Sequence, residues 1–136
     1  YEFTRGNFGN SEGFKPKEIV AYKLPEEMKK NKVYIEGNWK NNEDNLELVS
    51  QTGKILLIYN AKAVNIVAGS EKGSNLDIFI NGGNLDENNQ GQDIENSKTL
   101  VKEHRLYNLV DSAYGENKIL IEISNPGFKI YTFTFG

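Results

Sequence analysis

The chain has 136 residues, 38% hydrophobic and 26% charged, with a formal net charge of −3 and no cysteine. That length suits one domain with a real core, and interspersed charge with arginine only at Arg5 and Arg105 excludes a nucleic-acid surface. No apolar run nears the ~20 residues of a bilayer span, and without cysteine the chain can perform no thiol–disulfide step and hold no thiolate-ligated metal.

Residues 1–17 are rich in Gly and Asn and read as a linker or N-terminal arm, with a β-sandwich over 18–136. The start at Tyr1 lacks both an initiator methionine and the pattern of a signal peptide, and reads as an excised or processed piece. Strands are predicted at 18–23, 32–39, 46–50, 54–60, 63–68, 76–81, 99–103, 105–110, 118–124 and 128–135. Turn chemistry separates them at 51–53, 81–84, 114–117 and 125–127. Only 25–32 has the look of a helical turn, with an Asn that would cap it. Short strands at this spacing predict an all-β fold, an antiparallel β-sandwich or jelly roll.

Alternation assigns faces. Leu76, Ile78 and Ile80 share one side of their strand, and Ile119, Ile121 and Ile123 share one side of theirs. Segment 54–60 is apolar on both faces, which suits a strand covered by a second layer or a loop. Segment 84–97 is polar and predicts a surface loop. Tyr131, Phe133 and Phe135 alternate with threonines, predicting an aromatic stripe on a terminal strand paired over the core.

Catalytic chemistry finds little to work with. The single His104 has no Cys partner, and no Gly-x-Ser-x-Gly elbow supplies a nucleophile. Carboxylates are plentiful in loops, but glycosidase chemistry needs two of them about 5–9.5 Å apart across a cleft. Calcium is the metal most compatible with the loops, and Asp86 and Asp93 are its candidate ligands, although no EF-hand spacing is present. No other cofactor is expected.

Aromatic side chains are the remaining resource. Sugar recognition lays a ring against the apolar face of a pyranose and uses nearby polar groups for the hydroxyls. Trp39 is in phase with Val33, Ile35 and Gly37 and is assigned to the core. Tyr34 shares its face with Glu36 and Asn38, making it the exposed candidate. Arg105 and Tyr107 share a face too, and would either bind hydroxyl or carboxylate groups or tie a loop to the sandwich. The candidate ligand-binding residues are therefore Tyr34, Asn38, Arg105 and Tyr107.

Six segments in order carry a resemblance: Arg5-Gly-Asn-Phe8, Gly37-Asn-Trp39, Ala61-Lys-Ala-Val-Asn-Ile-Val67, Ile80-Asn-Gly-Gly83, Arg105-Leu-Tyr-Asn-Leu-Val110, and Pro126-Gly127 with 131–136. Together they resemble the C-terminal domain of DipZ-like proteins, thioredoxin-type thiol–disulfide proteins with an appended β-sandwich. Asn81 stands where that family tends to have Asp. The resemblance implies a jelly roll like carbohydrate-binding modules, behind a periplasmic or extracytoplasmic thioredoxin domain that carries the Cys-x-x-Cys pair. It implies a non-catalytic module with a glycan or cell-wall component as partner. The alternative is a structural module docked on the thioredoxin domain or its substrate, with an apolar patch near 1–17 and a featureless sheet face. A small hydrolase would need two convergent carboxylates.

Overall fold

The computed structural model describes residues 8–136. Among these residues nine strands run in chain order: β1 (Ile19–Tyr22), β2 (Val33–Asn41), β3 (Leu46–Leu48), β4 (Thr52–Gly69), β5 (Ser74–Ile80), β6 (Gly83–Asn84), β7 (Lys98–Val101), β8 (Arg105–Ser124) and β9 (Lys129–Phe135). All strand pairs are antiparallel, in the order β1-β2-β3-β9-β4-β8-β5-β6, with β7 also on β5 and β2 also on β4. The all-β antiparallel sandwich expected from the sequence is the fold.

Three strands belong to both layers. The first half of β2 pairs with β4 through Val33↔Leu57 to Glu36↔Lys54, while its second half pairs with β1 and β3. β4 and β8 run together along their length, and only the later part of β4 takes β9 as a second neighbour. The front layer is therefore β6 and β7, both on the outer edge of β5, then β5, late β8, early β4 and early β2. The back layer is β1, late β2, β3, β9, late β4 and early β8. Their inner faces meet in one core, where Trp39 and Phe128 pack edge to face with ring centroids 6.3 Å apart. Ile35, Ile55, Ile78, Ile119 and Ile121 fill the front side. Hydrophobic burial at these alternating positions is the main stabilising term.

β2 changes layer at Gly37, whose φ is +111°. A Cβ there would sit 3.0 Å from the Thr52 carbonyl oxygen, so only glycine fits both the angle and the space. β4 and β8 change layer at a bulge, where residues 112–114 stand opposite Lys62 alone. The turn predicted at 114–117 is absent for this reason. Gly115 is not left-handed and pairs with Ala61, so four predicted strands merge into two long ones of 18 and 20 residues.

Two other expectations are corrected. Among the described residues there is no helix: 25–32 is bends and a turn, with Asn31 left-handed (φ 62°) and its N–H donating to the Ile58 carbonyl at 2.8 Å. The β9 stripe is broken by a bulge, since Val67 faces Thr132 and Ala68 faces Ile130, skipping Tyr131. Ile130 and Phe133 are buried, while Tyr131 swings out to His104, its hydroxyl 3.1 Å from Nδ1.

Segment 84–97 lies on the surface but is pinned by buried Leu85 and Ile94. Of the predicted arm, residues 1–7 lie outside the described residues, together with most of the Arg5–Phe8 motif. The remainder runs along the free edge of early β2. Phe8 bridges Val33 in parallel, and the Asn10 side chain accepts from Ile35 N–H and donates to Ile35 C=O, both at 2.8 Å. One amide thus caps the edge as another strand would.

Candidate functional site on the front sheet face

The outward residues of the front layer form three parallel rows across the strands, because paired positions two residues apart keep the same side. One row is Phe79, Leu120, Leu56 and Tyr34. The next is Lys98, Asp77, Glu122, Lys54 and Glu36. The third is Asn75, Ser124 and Thr52. An apolar ledge therefore lies beside a charged ladder, which lies beside a polar margin.

An open depression of ≈ 520 Å³ follows the charged ladder, with Asn38, Ser50 and Thr52 at one end and Asp77 at the other. A second depression of ≈ 240 Å³ lies against the ledge of Leu56, Phe79 and Leu120 and shares Glu122 with the first. Lys54 sits between two carboxylates, its Nζ 3.9 Å from Glu36 and 3.9 Å from Glu122. Lys98 reaches Asp77 at 3.2 Å. Pairs this exposed add little stability, so the ladder keeps donors and acceptors that a ligand can use.

The four candidate ligand residues separate. Asn38 is exposed and lines the larger depression. Tyr34 is not the exposed platform that its alternation suggested, being only 4% exposed. Its ring is covered by Gly9, where a Cβ would fall 2.4 Å from the ring, and its hydroxyl accepts from Lys29 N–H at 2.8 Å. A segment remote in sequence covers this end of the row, and alternation within one strand carries no sign of it.

Arg105 and Tyr107 adjoin each other but serve the scaffold. The Arg105 guanidinium lies 3.9 Å from the Tyr107 ring centroid and bonds Asp93 at 3.0 Å. Tyr107 is 1% exposed, and its hydroxyl donates to the Glu103 carbonyl at 2.6 Å, four residues upstream, in the manner of a tyrosine corner. The bonds of this pair to Asp93 and to the Glu103 carbonyl make a loop tie, one of the two roles open to it in the sequence.

The candidate calcium ligands are also committed to local structure. Asp93 accepts from Arg105 with one oxygen and from Asn108 N–H at 2.8 Å with the other. Burial works to raise the Asp93 pKa, but these two hydrogen bonds outweigh it and hold the carboxyl below its ordinary range. Asp86 accepts from Asn88 N–H at 2.8 Å and shapes its own turn. Among the described residues no group of three His, Cys, Asp or Glu side chains is placed to hold a metal ion.

Sequence reasoning missed Phe79, Lys54 and Glu122 as members of one surface. The one signal for Phe79 is its alternation against the inward-facing Ile78 and Ile80. What was missing was the registry of β5, β8, β4 and β2, which alone puts these side chains in adjoining rows.

The fold, the cysteine-free core and the ordered motifs converge with a comparison that covers the whole chain. The family described as thioredoxin-like C-terminal domain matches residues 1–136. This chain belongs to that family. No curated protein matches it. A thioredoxin-like C-terminal domain without cysteine is an accessory module, and thiol–disulfide exchange is not open to its own residues.

Proposed function

We propose that this thioredoxin-like C-terminal domain is a non-catalytic, carbohydrate-binding-like module of an extracytoplasmic, DipZ-type thiol–disulfide protein. It holds a glycan or wall component on the front sheet face and so positions the parent's thioredoxin domain. The observation that carries this reading is the depression along the ladder, with polar groups on its floor and Phe79 on the adjoining ledge. Carbohydrate sites combine these two features, an apolar surface for ring faces and convergent hydrogen-bonding groups for hydroxyls.

Glycan-array binding tests it, with Asn38→Ala and Phe79→Ala alongside the wild-type chain. Saturable binding that either substitution weakens, in a chain with an unchanged β-sheet spectrum, supports the reading. A folded wild-type chain that retains nothing from the array removes it.

The second reading is docking on the upstream thioredoxin domain. It draws on a depression of ≈ 610 Å³ beside the arm, where Phe14 and Pro16 line the wall, and on nearby Ile19, which is 60% exposed. Titrating labelled module with that thioredoxin domain separates the readings. Chemical-shift changes confined to the arm side favour docking, and changes absent from both faces exclude it.

A further inference from the structure

We infer that the occupant of the front face is an uncharged, linear glycan lying across the strands, along the charged ladder. This rests on the glycan reading above and deepens it to a ligand class and an orientation.

The orientation follows from where the lining comes from. Asp77, Glu122, Lys54 and Glu36 line the depression from four adjacent strands at one register level, and Lys98 continues the row of charges onto a fifth strand beyond it. The long axis of the depression is therefore perpendicular to the strands. Five strands at a spacing of ~4.8 Å give a track ~19 Å long, room for about four sugar rings end to end. The apolar row runs parallel to the track and offers Phe79 and Leu120 to the carbon faces of those rings.

The ligand class follows from the charges. Three carboxylates meet two lysines along the ladder, and Lys54 is shared at 3.9 Å between Glu36 and Glu122. A uronate would face all three carboxylates. A protonated amino sugar would have to compete with Lys54 and Lys98 for the same oxygens. A hydroxyl both donates and accepts, so a neutral polyol meets lysine and carboxylate in turn without displacing either. A polypeptide is disfavoured on this face for a different reason. Main-chain N–H and C=O groups of these strands point within the sheet and are already paired, and extended peptides add at edges.

The test is calorimetric titration of the chain with uncharged cello- and chito-oligosaccharides from dimer to hexamer. Glucosamine and galacturonate oligomers of matched length are run beside them, each at low and high salt. Affinity is expected to rise roughly tenfold or more from dimer to tetramer and then level off, with a salt dependence below about twofold. Lys54→Gln and Glu122→Gln, both surface changes that leave the core intact, are each expected to weaken tetramer binding by roughly three- to tenfold. A preference for either charged series, or a tetramer no tighter than a dimer, overturns this inference and leaves the glycan reading standing. A folded chain that binds none of the series overturns both.

Discussion

The Tyr59 ring stacks on Phe135 with centroids 5.8 Å apart and is 1% exposed, so its phenol is one of the few polar groups carried into the core. Among the described residues its hydroxyl makes no well-formed hydrogen bond. Burial pushes its pKa from 10.0 up to about 12, eased only in part by the Asn117 side chain. The unfolded chain therefore releases this proton first. The stabilisation that the neutral phenol retains is whole below pH 10 and drains away as pH climbs towards 12. Tyr59→Phe removes a buried hydroxyl with no good partner, so stability at pH 7 is expected to stay level or rise by about 1 kcal/mol. The variant should also lose less stability than wild type across the alkaline window. Urea titrations at neutral pH and at stepped alkaline pH measure both. A neutral-pH loss above about 2 kcal/mol would mean that the hydroxyl has a partner worth keeping.

Strands and their junctions show what a sequence can and cannot disclose. Period-two alternation placed Leu76, Ile78, Ile119, Ile121 and Ile123 in the core, where each is at most 1% exposed, because burial of one face is a property of a strand's own residues. Turn chemistry failed at 114–117. A Gly-Glu-Asn string is compatible with a turn and equally with a bulge, and only the partner strand decides. The front face failed differently: its rows exist only once four strands distant in sequence are put in register, and Tyr34 was lost to the arm. Gly37 could be seen only as part of a Gly-x-Trp motif, while its role as the hinge of β2 needed the structure. Gly37→Ala forces a Cβ into a left-handed position 3.0 Å from a carbonyl oxygen. It should cost about 1–3 kcal/mol. Chemical denaturation reads the loss, and a change under about 0.5 kcal/mol would show that β2 can cross between layers by another path. Because Glu36 and Asn38 flank Gly37 and both line the depression along the charged ladder, the same variant should weaken any ligand held there.

At the scale of the molecule, sharing β2, β4 and β8 between layers ties the two sheets into one unit. A sandwich of separate sheets could lose one layer's packing while keeping the other's ladder. Here neither layer can open without dragging a continuous strand of the other, and β2-β3-β9-β4 closes on itself through the β2–β4 pairing. The chain also has no disulfide to hold a partly unfolded state together. Unfolding is therefore expected to be a single cooperative transition, with calorimetric and van't Hoff enthalpies equal and both probes of secondary and tertiary structure moving together. The same topology makes folding slow. β4 pairs with β8 from Ala68↔Arg105 out to Thr52↔Ser124, so even the nearest pair of the largest ladder closes only after the whole of β5 to β7 has been looped out. Relaxation on the millisecond-to-second scale is expected in stopped-flow refolding, against microseconds for a helical chain of this length. Two separated thermal transitions would mean that the layers are independent. In that case the front face could loosen while the back layer holds, and ligand binding there would be coupled to local order. A single transition means that the ladder and its apolar ledge are presented by a rigid body. A glycan bound on it then stabilises the whole module, by a free energy set by its concentration over its dissociation constant, and raises the melting temperature accordingly.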